Sequence, residues 1–93
     1  MRLGWNEAKR TKTPQERGLD FVRGAEIFAG LHVTRATHGG KSGEIRFVTA
    51  GFLDDRLVVM VWTPRGDVRH VISMRFAHAK EQKVWHEEMD RFR

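Results

Sequence analysis

The chain has 93 residues, and 17 Lys and Arg against 12 Asp and Glu give it a net charge of +5. That length suits a single domain, and the absence of Cys excludes disulfides, a thiolate zinc site and a cysteine nucleophile. No apolar stretch approaches the roughly 20 residues that cross a membrane, so we expect one cytoplasmic domain over residues 1–93, without a membrane partner.

The first part of the chain predicts a short strand and two helices. A strand ends at Trp5, and Asn6 suits the N-cap of a helix over Glu7–Lys12 because its side chain can accept from a free amide N–H. Asp20 is a second N-cap candidate, for a helix over Phe21–Phe28 whose apolar residues fall on one face.

The rest of the chain predicts four strands and a final helix. One strand, Arg56–Thr63, is apolar on both faces, which indicates a central strand covered on both sides. The elements are Leu31–Arg35, Ile45–Ala50, Arg56–Thr63, Val68–Phe76 and the helix Lys80–Phe92. We therefore expect an α+β fold, with a mostly antiparallel twisted sheet of about four to five strands flanked by two N-terminal helices and one C-terminal helix.

The positive charge is concentrated in two separate blocks. Residues 1–24 and residues 56–78 each carry +3, residues 25–55 carry −1, and residues 79–93 are neutral. If folding brings the two blocks together, they form a basic surface suited to phosphates or to an acidic partner. A generally basic, solvated surface is the alternative, and composition does not separate the two.

Strand alternation assigns side chains of the second block to faces. Along Val68–Phe76, regular alternation places Arg69, Ser73 and Arg75 on one face and His70 on the apolar core face. Arg46 also points away from the apolar face of its strand. Arginine binds phosphate through two N–H groups, so these three arginines predict a phosphate-facing surface, whereas the alternative is charge that protects a sheet edge.

Two other motifs are weak evidence for a nucleotide site or a metal site. The segment Gly39-Gly-Lys-Ser42 resembles a phosphate-binding loop, but Arg35 stands where the motif needs its first Gly, and a strand follows where it needs a helix. His86 and Asp90 have the spacing of metal ligands on a helix, but a third ligand is not in view. We expect neither a metal nor a cofactor.

Several motifs follow one another along nearly the whole chain. They are Trp5-Asn-Glu-Ala-Lys-Arg10, Gly18-Leu-Asp-Phe21, Gly43-Glu-x-Arg-Phe47, Gly51, Arg56-Leu-Val-Val-Met-Val-Trp-Thr-x-Arg-Gly66, and Arg69 followed by Ile72-Ser73-x-Arg75 and Glu81. In this order and at this spacing they resemble the BrnT toxins of bacterial type II toxin–antitoxin systems.

The resemblance implies a fold, an activity and partners. Members of this family are similar in fold to RelE-type ribonucleases, cleave RNA without a metal ion and arrest growth. A ribbon-helix-helix antitoxin, BrnA, neutralises the toxin in a hetero-oligomer that binds operator DNA through the antitoxin. The motif positions map to Lys9, Arg46, Ser73 and Arg75 as catalytic residues, and to Arg65, Arg69 and Arg17 as RNA-binding residues.

One motif departs from the family pattern. Where the family has Asn-x-x-Lys-His-Gly, this chain has Thr13-Pro-Gln-Glu-Arg17-Gly18. Arg17 can bind a phosphate, but an arginine is a poor acid or base, so the side chain that carries a proton most easily at neutral pH is missing there. Lys9 is then the candidate for proton transfer, provided that the fold buries it.

Two other functions stay open at this point. The chain could be a non-catalytic basic module that docks an acidic antitoxin segment or nucleic acid, and the substitution at Arg17 is the main support for that reading. A DNA-binding domain is less favoured, because the most basic block lies on strands and no recognition helix is visible.

Overall fold

The computed structural model describes residues 2–12, 19–37 and 43–91. Within these ranges the α+β class is confirmed, and a 3-10 turn over Phe21–Arg23 precedes the second helix. The elements are β1 (Arg2–Trp5), α1 (Glu7–Lys12), α2 (Gly24–Ala29), β2 (His32–Thr37), β3 (Arg46–Leu53), β4 (Arg56–Arg65), β5 (Val68–Phe76) and α3 (Ala79–Arg91).

Both predicted N-caps are present. The Asn6 side chain accepts from the backbone N–H of Lys9 at 3.0 Å and starts α1. The Asp20 side chain accepts from the backbone N–H of Val22 at 3.2 Å. Asp20 starts the 3-10 turn rather than a continuous helix, so the predicted helix over Phe21–Phe28 is divided between that turn and α2.

The five strands form one mixed sheet in the order β1-β5-β4-β3-β2. The pairs β2–β3, β3–β4 and β4–β5 are antiparallel, whereas β1 pairs with β5 in parallel. The expectation of a mostly antiparallel sheet is corrected at this edge. A short opening strand has no turn to fix its direction, because its partner lies far along the chain.

The sheet has apolar residues on both faces, as the prediction of a central strand at β4 required. The α2 face carries Met60 and Trp62 of β4, packed with Phe21 and Ile27. The α3 face carries Leu57 and Val59 of β4, packed with Val33, Ala50, Trp85 and Met89. We name these two faces of the sheet after the helices that cover them, and the side chain of each charged strand residue lies on one face or the other.

Candidate functional site

A register shift between β4 and β5 changes which residues share a face. Val61 pairs with Ser73, but its neighbour Trp62 pairs with Val71, so Ile72 is an extra residue on β5. Such a β-bulge interrupts the alternation of side chains along its strand. Because directly paired residues lie on the same face, Val71 joins Trp62 on the α2 face, and Ser73 lies with Val61 on the α3 face.

The bulge separates two arginines that the sequence predicted to lie together. Arg69 is on the α2 face, where its guanidinium lies 3.9 Å from the ring centre of Phe28 and 5.2 Å from that of Trp62. Arg75 pairs with Val59 and lies on the α3 face. The expectation that Arg69 shares a face with Arg75 and Ser73 is therefore wrong, because regular alternation does not continue through Ile72.

The same shift brings His70 to the α3 face. His70 pairs with Thr63, and alternation along β4 places Thr63 on the same face as Val61 and Val59. The sequence placed His70 in the core with Met74 and Phe76, and this too is corrected. The signal that could have revealed the bulge is the adjacent pair Val71-Ile72, which breaks the polar–apolar alternation of the strand.

Arg46 lies on the α3 face beyond the part that α3 covers. Its neighbour Phe47 pairs with Trp62 and stacks on it at 4.8 Å between ring centres, so Arg46 points to the opposite face. There it occupies the row of Thr63 and His70, with β4 between them. Two strand spacings put the backbones of Arg46 and His70 about 10 Å apart.

Four residues therefore make up what we call the open half of the α3 face: Arg46, His70, Ser73 and Arg75. Trp85 and Met89 of α3 cover the β2 side of the rows of Leu57 and Val59, so Arg75, at the β5 end of the Val59 row, lies at the edge of the covered part. Arg46, His70 and Ser73 are partly buried, and Arg75 is exposed. Three of the four predicted catalytic residues thus lie on one face of the sheet, in three successive rows, together with a histidine.

The guanidinium of Arg46 has unused hydrogen-bonding capacity. Its Nε atom is buried and has no hydrogen-bond partner among the described residues. In the same parts of the chain Arg46 forms no ion pair, in contrast to Arg10, which is bonded to Asp20, and Arg23, which is bonded to Asp54. A buried N–H that lacks a partner is costly. Arg69 has such an Nε atom too, but its guanidinium lies over two aromatic rings, whereas that of Arg46 is suited to an anionic ligand.

Arg75 is held by an acidic residue of α3. It donates to both carboxylate oxygens of Glu81, one through Nη2 at 3.1 Å and the other through Nη1. These bonds, helped by the backbone N–H of His78, lower the pKa of Glu81 to about 2. Glu81 fixes the guanidinium of Arg75 and offsets part of its charge. A phosphate bound there would therefore share the guanidinium with this carboxylate.

Residues of both basic blocks surround His70. Burial lowers the pKa of His70 below its usual 6.5, and the positive charges of Arg65 and Lys9 lower it further, while Glu44 opposes them. Lys9 belongs to the first block and Arg65 to the second. One cation of each block therefore lies near enough to His70 to act on its charge.

Lys9 and Arg65 themselves lie at the rim. The Lys9 side chain in α1 is exposed, so the condition that the fold buries it is not met. Arg65 is 59% exposed and lies 3.8 Å from Glu44, a loose ion pair of little energetic weight. Both side chains can move towards a ligand on the open half of the α3 face.

Several features named from the sequence fall elsewhere. Arg17, the motif Thr13–Gly18 around it and the loop Gly39–Ser42 lie outside the described residues. Within residues 2–12, 19–37 and 43–91, no group of three His, Asp or Glu side chains could hold a metal ion. In the same ranges, no helix is long and apolar enough to cross a bilayer.

Comparison with protein families identifies the family of this chain. Residues 5–81 match the family described as the ribonuclease toxin BrnT of type II toxin–antitoxin systems. The chain belongs to the BrnT family. Searches of the curated proteins and of the solved structures gave no match.

Membership in the BrnT family gives the open half of the α3 face its context. The matched span contains Arg46, His70, Ser73 and Arg75, together with Lys9 and Arg65 at the rim. A ribonuclease toxin has RNA as its target and an antitoxin as its partner, and both fit a chain of net charge +5.

Proposed function

We propose that this protein is a metal-independent endoribonuclease whose catalytic surface is the open half of the α3 face. The observation that carries the proposal is the placement of Arg46, Ser73 and Arg75 on one face, with the Nε atom of Arg46 buried and lacking a partner among the described residues. Family membership supplies the reaction class, because BrnT proteins are ribonuclease toxins.

Cationic side chains can take the part that metal ions play in other nucleases. Cleavage of RNA without a metal needs a base for the 2′-hydroxyl, positive charge at the phosphorus and an acid for the 5′-oxygen. Arg46 and Arg75 stabilise the charge that develops on the phosphoryl oxygens, and Ser73, between their rows, orients the phosphate. Lys9 is exposed, so we assign it not the base but the acid: its ammonium gives a proton to the 5′-oxygen, which is strongly basic once its bond to phosphorus breaks.

The positioning of the RNA backbone involves the rim of the same face. Arg65 is exposed on the side of His70, where it can contact a neighbouring phosphate. Arg17 stays a prediction for the same role. We assign Arg69 no contact with RNA at this surface, because it is stacked on Phe28 and Trp62 on the opposite face.

The partner proposal follows from the family and from charge. A type II toxin is neutralised by a protein antitoxin, and we propose a BrnA-like ribbon-helix-helix protein that forms a hetero-oligomer with this chain and binds operator DNA. An acidic antitoxin segment on the open half of the α3 face would compete with RNA for Arg46 and Arg75.

A non-catalytic binding module is the second candidate. The observation in its favour is the pairing of Arg75 with Glu81, which occupies one of the two predicted phosphate ligands. In that case the basic surface would bind RNA or the antitoxin without cleaving RNA.

The deciding experiment measures RNA cleavage by purified protein with a chelator present. Wild type should cleave, whereas Lys9→Ala, Arg46→Ala and Arg75→Ala should each lose ~10²–10³ of the rate. Arg91→Ala is the matched control, because it removes an exposed arginine at the end of α3. Binding without cleavage by wild type would favour the module, and unchanged cleavage in all three site variants would refute the site assignment.

A further inference from the structure

His70 has a position that the sequence did not assign to it. Among the histidines of the described residues, it is the one that a strand presents on the α3 face. His32 lies on the α2 face, where its ring contacts Phe28 and its Nδ1 lies 2.8 Å from the carbonyl oxygen of Gly30. The bulge at Ile72 is what places His70 in the row of Arg46 and next to the row of Ser73.

Charged groups from three elements act on His70. Arg65 follows on β4, Glu44 precedes β3, and Lys9 extends from α1. Two of the three are cationic, and they disfavour a second positive charge on the imidazole. Burial, together with Arg65 and Lys9, lowers the pKa of His70 below 6.5, so the imidazole is mostly neutral at pH 7 and can accept a proton.

We propose that His70 is the general base of RNA cleavage in this protein, in the place of the histidine that the motif at Arg17 lacks. The proposal rests on the proposed ribonuclease function. It gives the open half of the α3 face the one chemical group that Arg46, Ser73 and Arg75 do not supply, because neither arginine nor serine exchanges a proton readily at neutral pH.

The reaction balances with these residues. The neutral imidazole of His70 takes the proton of the 2′-hydroxyl while the 2′-oxygen forms a bond to phosphorus. The bond from phosphorus to the 5′-oxygen breaks, and the 5′-oxygen receives a proton from the ammonium of Lys9. The products are a 2′,3′-cyclic phosphate and a 5′-hydroxyl. His70 then releases its proton to solvent, and Lys9 takes one up.

The test compares His70→Gln and His70→Ala with the control His32→Gln. Cleavage of RNA is followed from pH 5 to 8 with a chelator present, and binding is followed with 2′-O-methyl RNA, which cannot be cleaved. Both His70 variants should lose ~10²–10⁴ of the cleavage rate. They should bind the methylated RNA within about threefold of wild type, because Arg46 and Arg75 are intact.

Two further readouts separate proton transfer from a structural role. The wild-type rate should rise with pH through a midpoint below 6.5, and this acidic limb should vanish in His70→Gln. Added imidazole should restore part of the activity of His70→Ala and none of that of Arg46→Ala. If His70→Gln keeps the rate and the acidic limb of wild type, His70 is not the base.

Failure of the broader proposal would look different. If wild type produces no cyclic phosphate from RNA, the ribonuclease function fails and the role of His70 falls with it. If wild type cleaves and both His70 variants cleave equally well, only the inference about His70 is overturned. Loss of cleavage without rescue by imidazole, combined with loss of RNA binding, would also contradict it, since His70 would then serve the structure.

Discussion

Arg69 and Arg75 lie on opposite faces of the sheet, although both occupy odd-numbered positions of the same strand. Arg69 contacts the rings of Phe28 and Trp62 on the α2 face, and Arg75 is bonded to Glu81 on the α3 face. One extra residue in β5 produces this separation. This separation predicts that Arg69 and Arg75 have different roles, which mutation of each arginine can test.

Arg69→Ala should destabilise the protein and leave catalysis by the folded molecules intact. The guanidinium covers two aromatic rings, and losing these contacts should cost about 1–2 kcal/mol of the free energy of unfolding. Urea denaturation measures the loss. Arg75→Ala is the counterpart and should reduce the cleavage rate far more than the stability. Equal losses of cleavage in the two variants would contradict the separation of faces.

Arg46→Ala should weaken RNA binding in a salt-dependent way. If Arg46 neutralises one phosphate, the slope of log affinity against log salt concentration should fall by about 1 with 2′-O-methyl RNA as the ligand. Arg46→Lys keeps the charge and should retain most of that slope, but it should cleave more slowly because lysine cannot donate in the bidentate manner of arginine. Arg91→Ala, the control, should leave the rate of cleavage unchanged.

Glu81→Gln should remove part of the stability at neutral pH. The folded state lowers the pKa of Glu81 from 4.5 to about 2 through Arg75, so the ionised carboxylate stabilises the fold above pH 4.5. This contribution is lost as the pH falls from 4.5 towards 2.

The measurement is urea denaturation of wild type and Glu81→Gln at pH 7 and at pH 2.5. We expect a difference of about 1 kcal/mol at pH 7, since Arg75 is exposed and solvent screens the pair. The difference should shrink at pH 2.5. Glu87→Gln, an exposed position of the same helix, is the control. A difference that does not depend on pH would refute the assignment of the pKa shift to this pair.

Gly51→Ala should destabilise the fold because α2 packs directly on β3 at this point. A Cβ at Gly51 would lie 2.6 Å from Cγ2 of Ile27 and 3.3 Å from the Ile27 carbonyl oxygen. Relieving that overlap should cost about 1–3 kcal/mol, measured as a fall in Tm or in the urea midpoint. Gly30→Ala is the control, because a Cβ there would meet nothing within 4 Å. Equal stability of the two variants would contradict the close contact.

Much of this protein follows from local pattern. The N-caps at Asn6 and Asp20, the strand over Val68–Phe76 and the doubly covered strand at β4 could all be predicted, because capping and alternation are properties of neighbouring residues. The family could also be recognised, since its motifs are spread in order along nearly the whole chain. The sequence alone therefore determined the α+β class and the reaction class.

Only the tertiary structure decided which residues make up the open half of the α3 face. The parallel pairing of β1 with β5 joins segments far apart in the chain, and the bulge at Ile72 depends on how β5 fits its partner strand. Since a shift of one residue moves every side chain beyond it to the opposite face, that single bulge removed Arg69 from the predicted phosphate surface and brought His70 to it. The charge of +5 could be read from composition, but which cations share a face with a histidine was fixed by strand register.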